Sequence, residues 1–215
     1  MRIPLDKRLK KRLHRDVGYL QDELVEILYS IAPDMVLHGG TAVWRCFGGT
    51  RFSEDLDFYV PVLRQDFGER LKAALSARGL QLLKFKQTEN LVFAKVSGRE
   101  AEVRVEINFS RKVSSAPLAF EKMGGSAFIV FSLSLEDLVL EKAAAYSSRR
   151  FARDIFDVYF LCLQLEDDAQ VKARLSGFSR SLPEPVDEGN LAATIYSGAV
   201  PTFKQMREYL AGRFS

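Results

Sequence analysis

Residues 36–60 read VLHGGTAVWRCFGGTRFSEDLDFYV. This stretch begins as a short apolar strand, turns at Gly39-Gly40-Thr41, and continues as one or two helical turns. Apolar and polar residues then alternate up to Val60, which predicts a strand with one buried face. Asp55 and Asp57 lie together on the opposite face of that strand.

The order of these features has a chemical meaning. A glycine turn at the start of a helix allows backbone amides to approach a phosphate closely, and the Thr41 hydroxyl can add a donor. Carboxylates two residues apart on a strand have Cα atoms about 6 to 7 Å apart. Asp55 and Asp57 can therefore hold two divalent ions that bridge a triphosphate and an attacking hydroxyl.

A third carboxylate would complete such a metal site. Residues 101–109, AEVRVEINF, alternate cleanly and form the clearest predicted strand in the chain. Glu102 and Glu106 both lie on its polar face. We favour Glu106, because an adjacent strand can place it beside Asp55 and Asp57.

The rest of the pattern indicates a mixed α/β half followed by a helical half. We predict a long helix from Leu5 to about Ile31, ended by Pro33. Further strands are predicted over residues 80–85, 91–96 and 128–131, and further helices over 67–78, 135–147, 151–165 and 202–210. The domain boundary is expected near Ser132, giving an N-terminal domain of residues 1–131 and a helical C-terminal domain of residues 132–215.

Composition narrows the class of protein. The chain has 215 residues, 47% of them hydrophobic, and only two cysteines, which support neither a disulfide framework nor a zinc site. No apolar run is long enough to span a membrane, and the N-terminus lacks a signal peptide's apolar region. We therefore expect a soluble, cytoplasmic protein with no membrane contact.

Positive charge is concentrated at the start of the chain. Residues 1–15 contain seven Lys or Arg and one Asp, whereas the whole chain carries a net charge of only +3. Such a basic segment can contact the phosphates of a nucleic acid. A solvated helix face is the equally weighted alternative.

The segment from Leu37 to Val60 resembles the signature of the AbiEii/AbiGii-type nucleotidyltransferases. The resemblance rests on the Gly39-Gly40-Thr41 turn, the second pair Gly48-Gly49, and the run from Arg51 to Asp57. It implies a polymerase β-like nucleotidyltransferase core, in which a mixed sheet is flanked by helices, joined to a helical C-terminal domain. The predicted fold class is therefore α+β.

A second block resembles the family's C-terminal helical motif, in which a lysine and a later aspartate belong to the active site. Here these residues are Lys142 and Asp157. A Lys142 ammonium is suited to bind phosphates as a point charge, aided by Arg149 or Arg150. Asp154 lies one helical turn before Asp157 and is equally suited to an ion pair with Arg150.

The resemblance implies a metal-dependent enzyme that transfers a nucleotide from an NTP to an acceptor hydroxyl and releases pyrophosphate. Mg²⁺ is the implied cofactor, with Asp55, Asp57 and Glu106 as its ligands. Arg51 and Ser53 are expected to help the glycine turn bind the triphosphate, or else Arg51 orients a carboxylate. Asp157 is expected to orient the acceptor or Lys142.

The family also implies a toxin of a type IV-like toxin–antitoxin system, with a cognate antitoxin as partner and an RNA such as the tRNA 3′ end as acceptor. Two alternatives stay open at this point. The acceptor could instead be a protein hydroxyl or a small molecule, or the fold could bind a nucleotide without turnover. Among the remaining residues, His38 is expected to pack in the core and His14 to lie on the surface.

Overall fold

The computed structural model describes residues 3–110, 113–166 and 169–214. Of the basic residues counted near the N-terminus, Arg2 lies outside the described residues. The strands are β1 (Val36–His38), β2 (Leu56–Val60), β3 (Gln81–Gln87), β4 (Leu91–Gly98), β5 (Ala101–Phe109), β6 (Ala116–Glu121) and β7 (Ala127–Ser132). The α-helices are α1 (Leu5–Arg8), α2 (Arg12–Ile31), α3 (Gly39–Cys46), α4 (Phe67–Ala77), α5 (Leu135–Arg149), α6 (Ala152–Cys162), α7 (Ala169–Arg180), α8 (Leu191–Thr194) and α9 (Phe203–Phe214).

The strands form one mixed sheet in the order β3-β4-β5-β2-β1-β7-β6. At its centre β2 pairs with β5 in parallel and with β1 in antiparallel orientation. In this register Asp57 lies opposite Glu106 on one side and opposite His38 on the other. Because directly paired residues point to the same face of a sheet, three polar side chains meet there. The α+β fold class predicted from the sequence is confirmed.

Alternation predicted the two central strands well. Residues 101–109 form β5 with the bounds expected, and Ala101, Val103, Val105 and Ile107 are buried. In β2 the buried side chains are Leu56, Phe58 and Val60. Strand β2 begins only at Leu56, because residues 52–55 before it have no regular secondary structure.

The long N-terminal helix predicted from Leu5 to Ile31 is wrong as a single helix. Helix α1 ends at Arg8, Leu9 and Lys11 are extended, and α2 begins at Arg12. The Arg15 guanidinium donates to the Leu9 carbonyl at 3.1 Å. Tertiary contacts outweigh the helical spacing of apolar residues here, because Leu9 lies outside both helices and is fully buried.

Two elements carry sequence patterns too weak to be predicted. Strand β6 contains Pro117, which suits it to the edge position that it occupies in the sheet. In helix α7 the buried side chains are Val171, Leu175 and Ser179, so that its apolar stripe is narrow. Neither pattern stands out against the surrounding sequence.

The last described strand ends at Ser132, and the elements that the structure describes after it are helical. Helix α5 begins as predicted, with the Asp137 amide donating to the Ser134 hydroxyl at 3.1 Å. Helices α5 and α6 pack on each other and on α3, which carries the glycine turn. The division into domains at Ser132 stays a prediction. None of the described helices has the length and apolar character needed to cross a bilayer.

Candidate active site

A polar cleft lies where α3, β2 and β5 face helices α5 and α6, with a cavity volume of about 240 Å³. It is lined by Gly40, Arg51, Ser53, Asp55, Asp57, Arg104, Glu106, Lys142, Arg149 and Arg153. Most of the residues predicted from the sequence as site residues are thus brought to one place. We call it the catalytic cleft.

The acidic side of the cleft is built by the two central strands. Asp57 on β2 and Glu106 on β5 are register partners, and Asp55 immediately precedes β2. Burial raises the pKa of Asp57, and the nearby Asp55 and Glu106 carboxylates add to the rise, although His38 and Lys142 oppose it. Carboxylates crowded in this way favour a bound cation.

Asp55 already has a cationic partner in this structure. The Arg104 guanidinium donates to its two carboxylate oxygens at 2.8 and 2.7 Å. In the described part of the chain, no three acidic, imidazole or thiol side chains are clustered closely enough to hold a metal as they stand. The three carboxylates nevertheless supply the hard oxygen donors that Mg²⁺ prefers.

The other candidate for the third carboxylate lies elsewhere. Glu102 forms an ion pair with Lys95 and is half exposed. It stands four residues before Glu106 on β5 and is not among the residues that line the catalytic cleft. Of the two glutamates, only Glu106 reaches Asp57.

Close packing explains the two glycines of the turn. Gly39 has φ +74°, a left-handed conformation that favours glycine, and a Cβ atom there would overlap Asp57 Oδ2. A Cβ on Gly40 would lie 2.6 Å from Ser53 Oγ and 2.7 Å from Arg51 Nη2. The turn therefore presses directly against the carboxylate strand and the segment before it.

Thr41 does not face the cleft as the sequence suggested. Its side chain is fully buried, and its hydroxyl donates to the Asp55 carbonyl at 2.5 Å. The Gly39 amide likewise donates to Glu141 Oε1 at 3.2 Å. Both groups fix the turn to neighbouring elements, and the residue of the turn that lines the cleft is Gly40.

Asp157 anchors the cationic side of the cleft. Its buried carboxylate accepts two hydrogen bonds from the Arg51 guanidinium, at 2.9 and 2.7 Å, and lies 3.3 Å from Lys142 Nζ. Burial alone would raise the pKa of Asp157, but Arg51 and Lys142 outweigh it and lower the pKa. Asp157 thus holds two cations at the cleft wall, and its predicted partner Lys142 is one of them.

Asp154 and the arginine pair differ from the expectation. Asp154 is buried and accepts two hydrogen bonds from Arg149, at 2.7 and 2.8 Å, and not from Arg150. Arg150 has a left-handed backbone at the C-cap of α5, which turns it away to the exterior. Arg149 and Arg153 line the cleft, whereas Arg150 is absent from its lining.

Sequence reasoning missed a cluster behind Asp57. Glu141 Oε2 lies 2.9 Å from His38 Nδ1 and accepts a hydrogen bond from the Tyr59 hydroxyl at 3.2 Å. The His38 and Tyr59 rings stack with their centroids 3.8 Å apart. His38 is packed as expected. The sequence indicated its partners only indirectly, because Glu141 precedes Lys142 in the motif and Tyr59 lies on the same face of β2 as Asp57.

Arg104 is the second omission, although a signal existed for it. It occupies the polar face of β5 two residues before Glu106, and side chains two apart on a strand point the same way. Its neighbours on the other side of the cleft are Arg149, the last residue of α5, and Arg153, in the first turn of α6. The cleft therefore pairs an acidic floor with several arginines.

Comparison with known proteins agrees with this geometry. Residues 24–191 match the family model described as nucleotidyl transferase AbiEii toxin, type IV TA system. No curated protein matches the sequence. The fold is similar to that of JHP933 from Helicobacter pylori, at 20% identity over 95% of this chain and 94% of that chain, with a TM-score of 0.64. It is also similar to MenT4, a nucleotidyltransferase toxin from Mycobacterium tuberculosis, at 18% identity over 95% of this chain and 85% of that chain, with a TM-score of 0.62.

These identities carry the fold alone, whereas the family model spans most of the sequence and includes both blocks of the site. The resemblance predicted from residues 37–60 is thereby confirmed. The chain belongs to the AbiEii family of nucleotidyltransferase toxins of type IV toxin–antitoxin systems, and it is a nucleotidyltransferase.

Proposed function

We propose that this enzyme is metal-dependent and transfers a nucleotide from an NTP to a hydroxyl of an RNA, such as the tRNA 3′ end. The observation that carries the proposal is the pairing of Asp57 with Glu106 across β2 and β5, beside Asp55 and opposite Lys142. An acidic floor facing fixed cations suits the transfer of a nucleotidyl group from a triphosphate to a hydroxyl, because it can hold metal ions on one side and the charge of the leaving pyrophosphate on the other.

Asp55, Asp57 and Glu106 are the proposed ligands of Mg²⁺. When bound there, the metal neutralises triphosphate charge and lowers the barrier to attack at phosphorus. The chain's own contribution is to hold the three carboxylates on adjacent backbone, with the Thr41 hydroxyl fixing the peptide of Asp55. Gly39 leaves room for Asp57 at the turn.

The β- and γ-phosphates are proposed to lie between the glycine turn and helix α5. Gly40 and Ser53 offer close backbone and hydroxyl contacts, and Arg51 and Lys142 supply positive charge from the wall fixed by Asp157. Arg149 takes the position at the cleft that the sequence led us to consider for Arg149 or Arg150. Gly39 and Thr41 serve the same site by positioning.

In the proposed reaction the acceptor oxygen attacks the α-phosphorus in line, a new P–O bond forms, and the bond to the β-phosphate oxygen breaks. Glu106 accepts the hydroxyl proton, and pyrophosphate leaves toward Lys142 and Arg51. Deprotonation of the acceptor hydroxyl and departure of pyrophosphate are thus assigned to opposite sides of the cleft. Nothing is oxidised or reduced.

As a toxin, the enzyme is proposed to block growth by modifying a cytoplasmic RNA, with a cognate antitoxin as the protein partner that restrains it. The family match supports the toxin–antitoxin setting. The RNA acceptor is supported by the excess of basic residues in the first 15 positions, seven Lys or Arg against one Asp.

The direct test is to incubate the purified protein with Mg²⁺, total tRNA and each α-³²P-labelled NTP in turn, followed by a denaturing gel. We expect label on RNA with at least one NTP, and no label with Asp57→Asn or with EDTA. Label on the protein itself, or label on a small acceptor only, would replace RNA by the corresponding alternative. No transfer to any acceptor would overturn the proposal.

A further inference from the structure

A second cleft adjoins the catalytic cleft and has a cavity volume of about 270 Å³. The two clefts share a wall formed by Arg51, Ser53, Asp55, Arg104 and Arg153. A molecule in either cleft therefore reaches the same carboxylate. This geometry suits a reaction with two substrates that enter from different sides and meet at Asp55.

The far side of the second cleft comes from parts of the chain that have no role in the mechanism above. Lys11 and His14 lie at the start of α2, ahead of residue 24, where the match to the family model begins. Across the opening, Lys11 Nζ donates to the Ala193 carbonyl of α8 at 3.3 Å. The second cleft is thus built partly by this chain's own N-terminal segment.

The ring of His14 is prepared for stacking. It lies parallel to the Phe52 ring, with centroids 3.8 Å apart and planes 5° apart, and the histidine is half-buried while it lines the cleft. Burial, aided by the Lys11 charge, lowers the pKa of His14. A rigid aromatic pair at a cleft wall offers a face on which a nucleobase can stack.

Two cationic side chains at the second cleft are not neutralised by an ion pair among the described residues. Within the described residues, neither Lys11 nor Arg153 has a carboxylate within ion-pair distance. Arg153 rests over the Phe151 ring, which leaves its donors available to a ligand. The lining also includes the carboxylates of Glu54 and Asp55, and Asp55 is paired with Arg104. The positive charge that Lys11 and Arg153 place next to a stacking surface matches a single-stranded nucleic acid.

We propose that the second cleft holds the terminal nucleotide of the RNA acceptor, with its base against His14 and its backbone phosphate at Lys11 and Arg153. This inference rests on the proposed function and names where the acceptor enters. The NTP occupies the catalytic cleft, so that the acceptor hydroxyl approaches the α-phosphorus along the shared wall at Asp55.

The first test separates a defined subsite from diffuse attraction. Lys11→Ala is compared with Lys7→Ala and Lys10→Ala, which remove the same charge from the same basic segment at exposed positions outside the cleft lining. We expect Lys11→Ala to raise the KM for an oligoribonucleotide acceptor about fivefold, to leave the KM for NTP unchanged, and to reduce the salt dependence of RNA binding by about one counterion. The two control variants are expected to change the KM for RNA less than twofold.

The second test concerns stacking. His14→Ala is expected to weaken binding of a 5′-fluorescein oligoribonucleotide about tenfold in an anisotropy titration, whereas His14→Phe keeps an aromatic face and is expected to stay within about twofold of the parent. Thermal melting of the two variants checks that loss of the Phe52 contact has not unfolded the protein. Weak binding by His14→Phe that matches His14→Ala would overturn the stacking assignment.

The outcomes separate failure of the acceptor subsite from failure of nucleotide transfer to RNA. If the parent protein transfers no nucleotide to RNA and does not bind it, the proposed function fails. If the parent transfers normally while Lys11→Ala matches the Lys7→Ala and Lys10→Ala controls, only the acceptor subsite is overturned. A raised KM for NTP in Lys11→Ala would also overturn it, because the second cleft would then belong to the donor nucleotide.

Discussion

Arg104 holds both carboxylate oxygens of Asp55, at 2.8 and 2.7 Å, in the wall that the two clefts share. The pair is partly exposed, with about half of the Arg104 side chain accessible, so that its contribution to stability is small. The pair matters more for metal binding, because Asp55 cannot bind a metal ion with both oxygens while Arg104 holds them. Arg104 is thus a competitor for the proposed metal site, and once displaced it can contact a phosphate.

Replacing Arg104 with methionine is expected to strengthen divalent metal binding about fivefold, since one competing charge is removed. Mn²⁺ titration followed by electron paramagnetic resonance, without NTP, measures this directly. The matched control is Arg64→Met, which removes another bidentate Arg–Asp pair, to Asp66, away from the cleft. Unchanged or weaker Mn²⁺ binding by Arg104→Met would contradict the competition.

Gly39→Ala is expected to abolish transfer, because the added Cβ would displace the Asp57 carboxylate, and to cost about 1 to 2 kcal/mol for the left-handed backbone. Gly79→Ala supplies the control: Gly79 has φ +69°, but nothing lies within 4 Å of its added Cβ. It should lose similar stability and keep full activity. Equal activity of the two variants in steady-state assays would show that the Gly39 contact with Asp57 is unimportant.

Glu106→Gln is expected to reduce kcat on the order of 100-fold, the equivalent of about 2.7 kcal/mol, because both of its proposed roles, metal ligation and proton acceptance, depend on the carboxylate charge. Glu102→Gln on the same strand face is the comparison, and it should retain nearly full activity. Glu102 forms an ion pair with Lys95 and lies outside the cleft lining. A larger loss in Glu102→Gln than in Glu106→Gln would reverse the assignment.

Asp157→Asn is expected to destabilise the protein by about 3 kcal/mol at pH 7, because Arg51 and Lys142 lose their buried counterion. The pKa of Asp157 is depressed in the folded state below its usual 3.8, so that its stabilisation is complete above pH 3.8 and is lost as the pH falls through the folded pKa. Urea unfolding of parent and variant should therefore differ most at neutral pH and progressively less below pH 3.8. A difference that does not change with pH would mean that the charge on Asp157 contributes nothing.

The sequence contained the centre of the site, because periodicity and local turn chemistry determine it. Alternation over residues 101–109 placed Glu106 on the polar face of β5, and the turn at Gly39 preceded the carboxylate strand in the expected order. The parallel register between β2 and β5 was not itself readable. That register depends on how all the strands of the sheet are arranged. Its consequence is that Glu106 lies opposite Asp57, which agrees with the choice of Glu106 over Glu102.

What escaped sequence reasoning depends on contacts between distant segments. Asp154 binds Arg149 because α5 ends in a left-handed residue that redirects Arg150, and no local pattern encodes that geometry. The Glu141 contacts with His38 and Tyr59 likewise join elements about a hundred residues apart. The break between α1 and α2 has the same origin, since burial of Leu9 outweighs the helical period.

Transfer to an RNA 3′ end is tested most directly by the intact mass of a defined oligoribonucleotide after incubation with the protein, Mg²⁺ and each NTP. The measurement is made with and without prior periodate oxidation of the 3′ diol of that RNA. We predict that the unoxidised RNA gains the mass of one or more nucleoside monophosphate residues, with one pyrophosphate released for each. We predict no gain on oxidised RNA or with Asp57→Asn. A mass gain that persists on oxidised RNA or in Asp57→Asn, or no gain with any NTP, would contradict transfer to an RNA 3′ end at these carboxylates.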